Sequence, residues 1–158
     1  MVCSGLKWIK VGDFMLMGEY HHTIDEKGRL TIPSKIRYEL GDGFVMTRGL
    51  DKCLAIYPKN EWDNIIKKYK ELPQTKDVRN FMRIFLSGAT TLEFDKQGRI
   101  NIPSPLVSFA DLKKECIIIG VNDRLEIWSS ENWQQFIDVN EENFSDIADS
   151  LFNSNLNV

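Results

Sequence analysis

The sequence predicts an α+β protein in which two copies of one β-hairpin unit, flanked by helices, share a core. Three observations predict it. DEKGRLTIPS at 25–34 returns as DKQGRINIPS at 95–104. Each copy runs from its arginine into a strand-like alternation of polar and apolar residues. Each is then followed by helical and strand-like runs in the same order.

Self-comparison carries the repeat further. At an offset of 70, Gly18, Asp25, Gly28, Arg29, Ile32, Pro33 and Ser34 match Gly88, Asp95, Gly98, Arg99, Ile102, Pro103 and Ser104. After one inserted residue, GLDKCLAIYPKNEW (49–62) matches GVNDRLEIWSSENW (120–133) at an offset of 71. Leu54, Ile56 and Trp62 thus recur as Leu125, Ile127 and Trp133, and Tyr57 is answered by Trp128.

Within each unit, YHHTID (20–25) and LEFD (92–95) read as short strands. EKG and KQG supply tight turns in which glycine permits a left-handed backbone and aspartate bonds turn amides. RLTI and RINI return as partner strands. Pro-Ser then opens a short helix, SKIRYEL in the first copy and SPLVSFADL in the second, with proline suited to a first-turn position and serine able to cap. FVMTR with CLAIYP, and CIIIG with RLEIW, form the next strand pairs. Each unit closes with a helix, at 59–72 and at 130–138, whose Trp62 and Trp133 read as core anchors. KKYK (67–70) is the wet face of the first of these helices.

The organisation that follows has a first repeat at 18–66, a connecting helix at 74–87 and a second repeat at 88–137. An N-terminal extension at 1–14 precedes them, and an acidic, weakly amphipathic tail at 138–158 follows. Val78, Phe81, Met82 and Phe85 give the connecting helix one packed face. No Pro/Gly/Ser-rich linker separates the halves. A fifty-residue hairpin unit is marginal alone, whereas two that interlock are not.

Net charge is −3, yet the total hides an asymmetry. From Ser129 onward there are six acidic residues and no Lys or Arg, so residues 1–128 carry all 20 basic groups against 17 acidic ones, a balance of +3. Between 27 and 37, Lys27, Arg29, Lys35 and Arg37 stand with no acid among them. Local charge sets the field that a phosphate backbone feels, so the acidic sum does not exclude nucleic acid.

Other classes find little support. No apolar run approaches the ~18 residues of a membrane helix, and the N-terminal stretch lacks the continuous apolar region of a secretion signal. Cys3, Cys53 and Cys116 are odd in number, show no metal-ligand spacing and suit a reducing cytoplasm. His21 and His22, the only histidines, face opposite sides of a strand. There is no phosphate-binding loop and no nucleophile-histidine spacing. Asp25 and Asp95 are better explained by their own turns than as an acid/base pair. The chain reads as a non-enzyme without metal, cofactor or small-molecule ligand.

Two copies of D-x-x-G-R, each followed by an alternating strand, Ile-Pro and a short helix, resemble the AbrB/SpoVT swapped-hairpin fold. Two such copies in one chain, with GEYHHTIDEKGRLTIP near the start, resemble the MraZ family in particular, over roughly 15–150. The resemblance implies that the repeats intertwine into one pseudo-twofold β-barrel and that chains close into a ring. It also implies a cytoplasmic, nucleoid-associated transcriptional regulator of the bacterial division and cell-wall gene cluster, typically a repressor on repeated promoter boxes. The partners implied are double-stranded promoter DNA and other copies of the chain. Two departures stand out: residues 1–14 precede the family's usual start, and Lys35 and Arg37 become Pro105 and Val107 in the second copy, which makes that repeat less basic and leaves open whether both contact DNA equally.

The candidate DNA-binding residues are Arg29, Arg99, Lys27, Lys96 and Arg37, with Asp25, Gly28, Asp95 and Gly98 shaping the turns. Arginine offers a planar fork suited to phosphate or a guanine edge. The aspartates would orient that fork and the lysines would add unspecific attraction. An internal Asp–Arg ion pair that merely locks each hairpin explains the same residues, and the two readings are compatible. Arg48, at the end of a strand, is a further candidate. The alternative function is an oligomeric protein-interaction scaffold, with the acidic tail as its contact surface and no direct DNA readout. Salt dependence separates them, because neutralising phosphates gives a slope of roughly −0.9 per contact in log K against log salt.

Overall fold

A computed structural model describes residues 15–156. The N-terminal extension at 1–14 lies outside the described residues. The first unit runs β1 (Leu16–Thr23), β2 (Arg29–Thr31), α1 (Ser34–Leu40), β3 (Phe44–Arg48), β4 (Leu54–Tyr57), α2 (Lys59–Lys70) and α3 (Lys76–Ser87). The second repeats that order as β5 (Thr90–Leu92), β6 (Arg99–Asn101), α4 (Ser104–Phe109), β7 (Glu115–Asn122), β8 (Leu125–Ser129), α5 (Ser130–Asn140) and α6 (Phe144–Leu156).

The units exchange strands. One antiparallel sheet has the order β1-β7-β8-β4-β3-β5, and β2 pairs with β6 in a separate ribbon. Each unit's first strand therefore pairs with the third strand of the other. β1 runs along β7 from Leu16↔Asn122 to Thr23↔Glu115, and β5 runs along β3 from Phe44↔Leu92 to Met46↔Thr90. The strand order reads the same from either edge once the units are exchanged, which places a pseudo-twofold axis between β4 and β8. A lone two-stranded hairpin is marginal in water. Swapping gives each hairpin a partner and buries its apolar face.

The sheet ladder stays open between β1 and β5, and the ribbon bridges that gap. Ile24 bridges Leu30, while the Asp25 and Asp95 amides donate to the Arg29 and Arg99 carbonyls at 3.0 and 2.9 Å. The result is a barrel-like enclosure whose circuit runs through two tight turns. Its core holds Leu30, Ile32, Ile100 and Ile102 from the ribbon segments against Met46, Ile56, Ile118 and Ile127 from the sheet.

The outer face of the sheet carries helices. In the first unit, Phe85 of α3 stacks on Trp62 at 5.4 Å and on Phe81 at 5.2 Å, and its carbonyl accepts from the buried Thr47 hydroxyl at 2.5 Å. In the second, Trp128 of β8 meets Trp133 and Phe136 of α5 in a smaller cluster. Here the units part company. α3 is docked through Phe85, whereas its positional twin α6 leaves Phe144, Leu151 and Phe152 exposed.

Local readings differ from the sequence in several places, the first being β1, which runs from Leu16 to Thr23 rather than from Tyr20 to Asp25. β5 ends at Leu92 rather than running to Asp95, and Phe94, beyond its end, still packs on Phe44 at 4.8 Å. α4 stops at Phe109, and Asp111 takes a positive φ just beyond it. Pro33 and Pro103, not the serines, stand at the N-cap positions, and neither helix has a side-chain cap there.

Phe85→Ala is expected to lower the unfolding free energy by about 3–5 kcal/mol, read from urea denaturation. A loss below about 1 kcal/mol would mean that α3 is held by something other than this ring.

Candidate nucleic-acid interface

The ribbon sorts its side chains by strand alternation. Leu30 and Ile100 point into the core and are fully buried. Their neighbours Arg29, Thr31, Arg99 and Asn101 therefore share the outward face, with Arg29 opposite Asn101 and Thr31 opposite Arg99. Both arginines had been singled out from the sequence. Asn101 and Thr31 had not, although alternation in RLTI and RINI already places the residue two beyond each arginine on its face.

The two turns share one hydrogen-bonding pattern. Asp25 Oδ1 accepts from the amides of Lys27 and Arg29, both at 2.9 Å, and Oδ2 accepts from Arg29 Nε at 2.6 Å. Asp95 does the same with the amides of Gln97 and Arg99 at 2.9 Å and with Arg99 Nε at 2.8 Å. Gly28 and Gly98 adopt φ of +82° and +75° to close the turns. Each aspartate thus fixes its arginine through Nε alone. The terminal nitrogens of both guanidinium groups donate to no described residue, and those are the donors a planar acceptor pair would use.

Both aspartates are held below the ordinary carboxylate range. The amide of the following arginine is the main cause; partial desolvation opposes it, and the arginine side chain and the second turn amide add to the lowering.

The remaining candidates fall in distinct settings. Lys27 and Lys96 are exposed on their turns. Arg37 is half-buried, and its Nη1 donates to the Ile32 carbonyl at 2.6 Å and the Gly98 carbonyl at 3.5 Å. Because the units interlock, the helix that carries Lys35 and Arg37 lies against the second turn. The arginine absent from the second copy's own helix is supplied there by the first. Arg48 is engaged elsewhere, donating to the Ile84 carbonyl at 2.6 Å and to Ser87 Oγ at 3.2 Å at the end of α3.

His21 and His22 lie on opposite faces of β1, and among the described residues no group of three or more His, Cys, Asp or Glu is placed to hold a metal ion. Cys53 and Cys116 are buried thiols that desolvation pushes up to about 12 and about 11. No helix of the described residues is long and apolar enough to cross a membrane.

The profile of one protein family, described as "MraZ protein, putative antitoxin-like", matches residues 15–83 and again 85–155. The chain belongs to the MraZ family. Each match begins at or just before the first strand of a unit and continues into its last helix, so the tandem organisation of the family coincides with the duplicated order of elements. MraZ proteins are regulatory, and the doubled Asp–Arg turn is what this fold displays on the outward face of its ribbon.

Two predictions concern the turns. A folded-state carboxyl below its unfolded value gives stability that is fully present above about pH 3.9 and is lost as pH falls through the folded value. Wild type is therefore expected to lose stability on acidification through and below about pH 4. An Asp25→Asn, Asp95→Asn double variant should start lower at neutral pH and show a shallower acid limb in urea midpoints. Equal acid limbs would remove the turns as its source. Gly28→Ala is expected to destabilise more than Gly98→Ala. Beyond the shared strain of roughly 1–2 kcal/mol at a left-handed position, a β-carbon on Gly28 meets the Ile102 carbonyl oxygen at 2.7 Å, whereas one on Gly98 meets the movable Arg37 guanidinium. Denaturation midpoints in the reverse order would refute this.

Proposed function

We propose that this MraZ-family chain is a sequence-specific double-stranded-DNA-binding transcriptional regulator. In this reading it represses a bacterial division and cell-wall gene cluster by binding repeated promoter boxes as a ring-shaped homo-oligomer. The observation that carries the reading is the pair of Asp-oriented arginines, their terminal nitrogens bonded to no described residue, on one face of a two-stranded ribbon. A major groove about 12 Å wide admits such a ribbon. Diagonal neighbours across an antiparallel pair stand about 7–8 Å apart, so Arg29 and Arg99 enter one groove together. Their forks match guanine O6 and N7, Asn101 matches adenine, and Lys27 and Lys96 meet phosphates. Lys35 and Arg37 add positive potential beside the second turn, and the acidic C-terminal segment carries its charge elsewhere in the chain.

A ring is supported by α6. Its twin α3 docks on its own sheet, while α6 presents Phe144 at 75%, Leu151 at 61% and Phe152 at 67% exposure. Such a cluster of apolar side chains on one helix is the signature of a surface that another protein covers. Several ribbons at fixed spacing would engage tandem boxes together, and avidity would supply the affinity.

The test is binding of wild type, Arg29→Ala and Arg99→Ala to DNA from upstream of the protein's own gene, across a salt series. Each variant is expected to lose roughly 10- to 100-fold in affinity, the cost of a bidentate base contact. Lys27→Ala should weaken all sequences alike and flatten the salt slope by about one unit. No binding by wild type at low salt would leave the interaction scaffold as the better reading. Leu151→Glu with Phe152→Glu should sediment as smaller species and bind tandem boxes no more tightly than a single one.

A further inference from the structure

The clefts beside the two turns differ by one side chain. α1 lies over the second turn and α4 over the first. In the cleft under α1, Arg37 donates to the Ile32 and Gly98 carbonyls and covers Gly98, which is buried. At the twin position on α4 stands Val107. Gly28 is accordingly only half-buried, and a cleft of about 310 Å³ opens between its turn and α4, lined by Gly28, Asn101, Ile102, Ser104 and Val107 among others. The Ile102 carbonyl, twin of the one that Arg37 satisfies, accepts no hydrogen bond from the described residues. Asn101 Oδ1 lies 3.4 Å from where a β-carbon on Gly28 would sit.

The geometry points to a binding site for an alkylguanidinium group in this cleft. The Ile102 carbonyl and Asn101 Oδ1, with the Gly28 carbonyl beside them, form an acceptor set for a planar cation, and a cation has several N–H donors to meet them. The protein already shows the complex it would make, because Arg37 is that ligand, covalently attached, in the twin cleft. Charge does not oppose it. Asp25 is paired with Arg29, so Glu26 faces Lys27 and Lys113 around the opening, and Arg37 likewise occupies its own cleft with Lys96 on the turn and Lys35 on the helix. The guanidinium has two sources, a free small molecule or an arginine of a second copy of the chain. The site shares Asn101 with the DNA-binding reading, and its test, made without DNA, does not depend on that reading.

The test is equilibrium dialysis of the full chain against radiolabelled butylguanidinium, with butylurea as the neutral competitor. Saturable binding of about one per chain, not displaced by butylurea, is expected, together with at least a tenfold loss in Val107→Arg. Arg37→Val should raise the count to two by opening the second cleft. Circular dichroism checks the fold of each variant, and Val107→Lys serves if Val107→Arg does not fold. If a second copy supplies the arginine, Val107→Arg sediments as smaller species and wild type takes up more probe on dilution. Unchanged sedimentation with saturable uptake assigns the cleft to a free ligand. Uptake that persists in folded Val107→Arg, or no uptake with unchanged sedimentation, overturns the proposal.

Discussion

Everything in this fold depends on the reciprocal bonding of two short segments across the pseudo-twofold axis. The Ile32 amide donates to the Gly98 carbonyl at 3.1 Å and the Ile102 amide to the Gly28 carbonyl at 2.7 Å, extending the three-residue β2–β6 ladder at both ends. These bonds draw four apolar side chains into the core and set the register that puts Arg29 and Arg99 on one face. They also explain why both turn positions are glycine. Each must close a left-handed turn while offering its carbonyl to the other unit, and at Gly28 the Ile102 backbone lies too near to leave room for a side chain. Neither unit can complete the ribbon alone, so strand exchange is a condition of the site as well as of the core.

Placing both units in one chain frees them to diverge where an identical pair could not. At the axis, Ala55 faces Glu126. Glu126 accepts from Arg124 at 3.0 Å and from the Trp128 indole at 3.1 Å, over the buried Cys53. The twins of Arg124, Glu126 and Trp128 are Cys53, Ala55 and Tyr57. Two copies of the charged network would set like charges together across the central strands, and two copies of the small set would leave space unfilled. The Arg37/Val107 and α3/α6 differences follow the same logic. One unit keeps the filled or docked version, and the other presents an open cleft or an exposed helix.

The duplicated motif made the fold class legible, because a turn glycine, an alternating strand and an Ile-Pro stop each have one physical meaning and recur in order. The turn residues were legible for the same reason. Register was not. That Asn101 lies beside Arg29, or that Arg37 reaches the other unit's turn, depends on exchange between segments some seventy residues apart, and no local pattern encodes it. The extent of β5 is hidden for a similar reason, since Leu92 and Phe94 keep strand alternation and both face the core while the ladder with β3 ends at Leu92. The contrast between α3 and α6 was also hidden, since both carry apolar residues at helical spacing and only packing decides which is covered.

A structural and a recognition role for the Asp–Arg pair are often posed as rivals, and the geometry here divides them between atoms. Nε serves the turn, and the two terminal nitrogens donate to no described residue. An exposed ion pair by itself contributes little stability, so the pairing is an uneconomical way to lock a hairpin that already has glycine and two backbone amides on the aspartate. It is an efficient way to hold a long side chain in one rotamer. A flexible arginine loses up to about 2 kcal/mol of rotamer freedom on binding, and fixing it beforehand removes much of that loss from the encounter. Both turns carry the same carboxylate in the same place, where it stabilises the turn through two amides and holds the arginine side chain through Nε.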